Sequence, residues 1–389
     1  MSQLRSGFTT GTCAAAAAKA AVKLLLEGVT LREVEITLPE GGRLSIPLVY
    51  VRGDGSFAEA AIRKDAGDDP DITNGLDVVA SVRGIEGKDI EITAGEGVGT
   101  VTKPGLSVAP GEPAVNPVPR RMIRDAVREV TDRGIEVTLS IPGGRDIAAK
   151  TFNPRLGIVG GLSILGTSGR VRPFSCPALR TSLKCLLDVA VAGGISAPVF
   201  VPGHIGERAA KRHFRISSGQ VIEVSNEWGF MLECAAALDL EALMVLGHPG
   251  KLAKLAMGEW DTHSSRSKSA LSFVSGLAKE IIRINFPSPR GRGLRGGGRE
   301  RGYNDSGIDN NDAKHQEQML VQRIQGIPTV EGLFSALFEP ERNELGEVLT
   351  DKIRIAVSER IGDNTEIAVV LVNMQGNILG SNGDLSRWM

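Results

Sequence analysis

Thr9-Thr10-Gly11-Thr12 stands directly before an alanine run from Ala14 to Ala18. Three hydroxyls and unspent N–H groups at the positive end of a helix make an anion site or, more plainly, a heavily decorated helix cap. Farther along, Asp65, Asp68, Asp69 and Asp71 gather between Lys64 and Thr73-Asn74-Gly75. Such a loop suits a cation or the sulfonium and amino groups of a ligand; the alternative is a polar turn. It lacks the closing glutamate of a calcium loop. Gly95-Glu96-Gly97-Val98-Gly99-Thr100, followed by Lys103-Pro104-Gly105, invites a dinucleotide-loop reading. The third glycine comes one residue early, however, and no helical pattern follows. Gly291 to Gly296 spells that motif only by chance, inside low-complexity sequence. Gly247 to Lys251 fails as a phosphate loop, because Val245 and Leu252 stand where a glycine and a hydroxyl belong. In Glu112-Pro113 to Asn116-Pro117-Val118-Pro119-Arg120-Arg121, prolines stiffen a loop and arginines enter the first turn of a helix. Arginine is poorly placed there against the helix dipole, which favours a grip on carboxylates over simple exposure.

Five histidines (His204, His213, His248, His263, His315) show no pair at metal-ligand spacing, so no protein metal site is expected. His204 and His248 fall on loops after strand-like runs, and no Gly-x-Ser-x-Gly elbow exists. The cysteines (Cys13, Cys176, Cys185, Cys234) form no Cys-x-x-Cys and read as reduced, buried thiols of a cytoplasmic protein. In 389 residues the formal net charge is −1, which argues against a dedicated nucleic-acid or membrane-surface binder. No uncharged apolar run is long enough to span a bilayer. Glycine is plentiful (48 residues) and aromatics scarce (4%), which suggests backbone brought close to something rather than stacked rings.

These residues need a frame. Thr12 to Glu27 reads as a helix capped by Thr12 and closed by Gly28. Val34 to Leu38 and Leu44 to Val51 read as a hairpin; 78–82, 90–93, 98–102 and 135–140 add strands. Pro119 at the first helical position opens a helix over 120–133. This is an α+β domain with glycine-rich ligand loops over residues 1–150. From 151 to 286, strands at 198–201, 221–224 and 242–246 alternate with helices at 177–191, 206–214, 227–238 and 251–257. That rhythm predicts an α/β doubly wound, Rossmann-like domain, with Pro202-Gly203-His204, Ser225-Asn226 and Gly247-His248-Pro249-Gly250 at the ligand-binding ends of its strands. Residues 287–317, basic Arg/Gly sequence and then acidic, read as a disordered insertion or linker. Residues 318–389 read as a C-terminal α/β segment completing a preceding domain.

Together these stretches resemble a known family. They are Gly7 to Ala16, Lys64 to Gly75, Gly95 to Leu106, Gly111 to Met122, Thr151-Phe-Asn-Pro-Arg155-Leu-Gly157-Ile-Val-Gly160-Gly161 with Ile164 to Thr167, Gly247 to Lys254, and Asp261-Thr262-His263-Ser264. The chain is similar to the cobalt-precorrin-5B C1-methyltransferases of anaerobic cobalamin biosynthesis, the CbiD family. It departs from that pattern at Ser168, Pro249, Asp261 and the loop 202–205, and 286–317 has no counterpart. The resemblance implies methyl transfer from S-adenosylmethionine to C1 of cobalt-precorrin-5B, giving cobalt-precorrin-6A, with cobalt present only in the substrate. It implies grips on the ring's carboxylates by Thr9, Thr10, Gly11, Thr12, Lys103, Asn116, Arg120 and Arg155. Donor or ring contacts are expected from Asp65, Asp68, Asp69, Gly95, Glu96, Gly97, Gly99, Gly157, Gly160, Gly161, Thr167, His248, Lys251, Thr262 and His263. Expected partners are the precorrin and neighbouring pathway enzymes, without nucleic acid or membrane. The alternatives are a non-catalytic corrinoid-binding or assembly protein and an RNA binder acting through the Arg/Gly segment.

Overall fold

Alanine decides the first packing step. In a computed structural model of the chain, helix α1 (Thr10–Glu27) is buried from Thr10 to Val22, with its alanines almost wholly inaccessible. It lies on strands β5 (Ala58–Arg63) and β6 (Asp77–Ile85) and on helix α2 (Pro117–Arg128). Ala58, Ala60 and Ala80 meet it from the sheet, so small residues face small residues and the helix seats closely. Residues 4–217, 219–285, 318–319 and 321–389 are described here; the stretch 287–317 read above as a linker lies outside the described residues.

The chain divides into two compact units, Met1–Gly194 and Ile195–Met389. Residues 151–194, read above as the start of the second domain, thus cluster with the first unit. Its main sheet runs β4 (Tyr50–Gly53), β5, β6, β9 (Gly134–Ser140), β7 (Ile90–Ala94); all pairings are antiparallel except β7 with β9. A hairpin of β2 (Glu33–Thr37) and β3 (Arg43–Pro47) stands apart from that sheet, so the expected strand 44–51 is two strands in two sheets. Short elements complete the unit: β1 (Gly7–Phe8), β8 (Thr100–Val101), α3 (Gly144–Ala148), β10 (Ile158–Val159), β11 (Arg170–Val171) and α4 (Cys176–Ala192). Pair β1–β11 ties residues 170–171 back to the start of the unit, and β8–β10 ties 158–159 to 100–101.

The second unit carries β12 (Val199–Val201), α5 (His204–His213), β13 (Val221–Glu223), α6 (Trp228–Ala236), β14 (Ala242–Gly247), α7 (Pro249–Ala256) and α8 (Leu271–Asn285). After these come α9 (Val330–Ala336), α10 (Glu339–Ile361), β15 (Glu366–Val372) and β16 (Ile378–Asn382). The sheet order is β13-β12-β14-β15-β16, parallel except for the last pair. Met244, Leu246, Val370 and Val372 bury one face against α5 and Trp388, while Leu243, Val245, Val369 and Leu371 are buried on the other. Runs buried on both faces are the mark of an internal parallel strand. The architecture is mixed α/β with mixed sheets. No helix of the described residues is long and apolar enough to cross a membrane.

Candidate functional site

The threonine cluster caps α1, but Thr9, not Thr12, is the N-cap: its Oγ1 accepts from the Thr12 N–H at 3.2 Å. The remaining groups meet the loop 165–169. Thr10 Oγ1 donates to the Leu165 carbonyl (3.2 Å) and accepts from the Leu165 N–H (3.0 Å). Gly11 N–H donates to the same carbonyl at 3.1 Å, and Thr12 Oγ1 donates to the Gly169 carbonyl at 2.7 Å. The threonines thus clamp this loop from the buried end of α1. Helix ends leave several N–H groups unpaired, and here the protein's own backbone and hydroxyls take much of that capacity.

The glycine loops converge, though on each other. Gly99 donates to Leu162, Leu162 to Gly97, Ala114 to Gly99, and Ile164 to Ala114, so 95–101, 111–116 and 157–164 form one interlaced cluster. A Cβ at Gly97 or Gly161 would overlap backbone of the neighbouring strand of chain, and one at Gly99 would press on Ile158. Gly95 packs on Ser140 and Leu139, and Gly157 on the Lys103 side chain. These glycines pack loop upon loop. Gly160 differs: a Cβ there meets nothing within 4 Å, and Val159, Leu165 and Thr167 beside it are exposed. Glu96 is also exposed.

Pro117, not Pro119, begins α2, and Asn116 is an exposed N-cap whose side chain makes no capping bond. Arg120 binds its own loop, with Nε on the Val115 carbonyl (2.8 Å) and Nη2 on Glu112 and the Pro113 carbonyl (both 3.1 Å). It shares a cavity of about 280 Å³ with Arg124, Ser107, Val108, Glu112 and Pro117. That volume takes a carboxylate arm rather than a macrocycle. Arg124, which sequence reasoning missed, also lines a second recess with Asp89 and Arg128; its one-turn spacing from Arg120 was the available signal. Lys103 and Arg155 are half-buried.

Each acidic group named in 64–75 has a partner. Asp65 pairs with Arg5 (2.5 Å), whose hydrogen bond holds the carboxyl below its ordinary value. Asp68 accepts from the Arg5 N–H (2.6 Å), Asp69 from the Phe174 N–H (3.0 Å), and Asp71 pairs with buried Lys64 (2.9 Å). The loop is a polar turn that ties Arg5 to residue 174.

In the second unit the loops after β12, β13 and β14 lie together at the carboxyl edge. Gly247 packs on Pro202, and a Cβ at Gly203 would stand 3.6 Å from Oε1 of Glu223. His248 caps α7: Nδ1 accepts from the Gly250 N–H (3.0 Å), which leaves Nε2 to donate to Glu331 (2.8 Å). The other Glu331 oxygen accepts from the Met374 N–H at 3.3 Å, so this carboxylate joins the ends of β14 and β15. Lys251 is half-buried; burial first, and the charge of Lys254 second, lower its ammonium pKa. Thr262 is buried and bonded to Asn226 (3.2 Å), whereas His263 is exposed and meets Ser265 (2.8 Å). His204, Glu207 and Glu223 bring one ligand atom each within 4.8 Å of one another, a grouping the search for paired histidines could not see. Lys211 already lies 2.8 Å from Glu207, and Lys251 feels the charge of Glu223.

Comparison with known proteins adds a separate observation. The family model described as CbiD matches residues 1–173, and that described as CbiD, C-terminal domain, matches 315–383. A protein of Syntrophotalea carbinolica named cobalt-precorrin-5B C(1)-methyltransferase is 48% identical over 100% of both chains. One of the same name from Methanocaldococcus jannaschii is 40% identical over 96% of this chain and 95% of its own. The crystal structure of a cobalamin biosynthesis protein (cbiD) from Archaeoglobus fulgidus is 30% identical, covers 68% of this chain and 83% of that one, and has a TM-score of 0.36.

Proposed function

The chain belongs to the CbiD family, and from that premise we propose that it methylates C1 of cobalt-precorrin-5B with S-adenosylmethionine, giving cobalt-precorrin-6A in anaerobic cobalamin biosynthesis. The observation that carries this reading is the 48% identity, along the whole of both chains, to a protein of that printed activity. The donor supplies an electrophilic methyl group on sulfonium, and the cobalt arrives within the substrate.

Displacement on sulfonium demands alignment more than acid–base power; well-oriented reactants gain effective molarities on the order of 10⁵–10⁸ M. The residues suit that demand. In the first unit, Lys103, Arg120, Arg124 and Arg155 grip the acetate and propionate arms of the ring, as charge-assisted bonds to carboxylates require. The clamp of Thr9 to Thr12 and the interlaced glycines act as scaffold, holding the loop with Gly160 and Thr167 in place. Two features support this reading: the recess shared by Arg120 and Arg124, and the open surface at Gly160.

We read the second unit as a doubly wound domain that takes the donor. Its strand order, with β12 flanked by β13 and β14, supports this, because ligands of such sheets sit where neighbouring connections diverge. His248 sets the loop 247–251 there, and Lys251 offers its ammonium to the donor's carboxylate. The donor site fits the residues present, since Gly203 leaves open space beside a carboxylate. Contacts with neighbouring pathway enzymes, and a place in the cytoplasm, accord with this role.

Incubation of the purified chain with cobalt-precorrin-5B and S-adenosylmethionine, followed by mass analysis, tests the proposal. A product heavier by one methyl group is expected. A ring that binds yet emerges unmodified would instead make the chain a carrier of corrinoid intermediates.

A further inference from the structure

Resting on the reading of the second unit as the donor site, we propose that Glu223 accepts hydrogen bonds from the ribose hydroxyls of the adenosyl donor, over Gly203 at the end of β12. β12 and β13 are adjacent and parallel, and Val201 pairs with Glu223. The last residue of one strand therefore stands beside the acid that closes the next. Between them, Pro202-Gly203 leads into α5.

Gly203 and Gly206 of that connection have different surroundings. Gly203 faces open space except for the Glu223 carboxylate. Gly206 is closed: a Cβ there would press on Val201 at 2.9 Å and on the Leu246 carbonyl at 3.1 Å, so it seats α5 against the sheet. A strand end, a glycine with room above it and a glycine that seats the helix come first. An acid about twenty residues on, at the end of the neighbouring parallel strand, completes the geometry by which nucleotide-binding sheets read a ribose. Gly203 and Glu223 stand at that interval. Glu223 is half-buried and accepts no hydrogen bond among the described residues, which leaves both oxygens to two vicinal hydroxyls.

The rival occupant is a divalent cation shared by His204, Glu207 and Glu223. Lys211 and Lys251 already bring positive charge to the two carboxylates, which favours neutral hydroxyl donors over a metal ion.

The test is calorimetric titration of the full chain, wild type and the variants Glu223→Ala and Glu223→Gln, with S-adenosylhomocysteine and its 2′-deoxy and 3′-deoxy counterparts. Wild type should bind the ribose form about 10–100-fold more tightly than either deoxy form, the range for hydrogen bonds to a charged group. Glu223→Ala should bring that ratio to near one with an unchanged Tm, and Glu223→Gln should fall between. Variants that keep the wild-type ratio would overturn the assignment alone. Should the variants fail to fold, a ratio near one in wild type would overturn it equally. Absence of any binding by wild type would defeat the methyltransferase reading and this proposal with it. Stoichiometric zinc binding that depends on Glu223 and is not displaced by S-adenosylhomocysteine would replace the ribose with a metal.

Discussion

Single hydroxyls and carboxylates decide how well the first unit's loops are held. Thr10 both gives a hydrogen bond to Leu165 and takes one from it, so Thr10→Val removes a two-way tie with almost no change of shape. Stability should fall by about 1–3 kcal/mol, the cost of stranding buried polar groups, as read by urea unfolding. KM for the tetrapyrrole should rise as the loop with Thr167 loosens. Glu129 provides a pH-dependent counterpart. Lys19, nearly buried, donates to Glu129 at 2.5 Å and to the Glu35 carbonyl at 2.7 Å. The hydrogen bond from Lys19, opposed by burial and aided by the lysine's charge, holds the Glu129 carboxyl below its ordinary 4.5. A depressed folded value means that the stabilisation is complete above that ordinary value and fades as pH falls through the folded one. Glu129→Gln should therefore cost about 1 kcal/mol at neutral pH, discounted because Glu129 is one-third exposed, and should flatten the loss of stability between pH 5 and pH 3, measured by denaturant titration at each pH. An unchanged acid profile would show that the pair contributes nothing.

At the scale of elements, glycine separates scaffold from surface. Gly97 has φ +72° and its missing Cβ would overlap the Ile141 carbonyl, so Gly97→Ala should leave little soluble, cooperatively folding protein. Gly160 has φ +88° but open surroundings; Gly160→Ala should cost only about 1–2 kcal/mol of backbone strain. Circular dichroism melts of the two variants separate these outcomes, and a raised tetrapyrrole KM in Gly160→Ala would mark that surface as a ring contact. The same elements show what sequence reading can reach. The alanine run announced α1, and the apolar run 242–246 announced the buried parallel strand β14. β5 escaped because Ala-Glu-Ala-Ala-Ile-Arg has the composition of a helix; only the alanine face of α1 makes such a strand favourable. The glycine surplus signalled close approach, and at Gly97, Gly99 and Gly161 backbone of the same chain lies that close. Glu223 stands at a readable interval from Gly203, but its place beside Val201 emerges only from the strand pairing.

Residues 157–169 supply hydrogen-bond partners to Thr10, Gly11, Thr12, Gly97 and Gly99, so a first unit ended at residue 150 would leave those groups unpaired. A fragment of residues 1–194 should unfold cooperatively on heating, whereas 1–150 should show no cooperative transition. Equal melts from both would move the boundary back to 150. Turnover of cobalt-precorrin-5B with S-adenosylmethionine carrying a ¹³C-labelled methyl group, followed by NMR of the product, locates the transferred carbon. The label is expected at C1 of cobalt-precorrin-6A with one S-adenosylhomocysteine formed per methyl. Label at another ring position, or a bound ring left unlabelled, would contradict it.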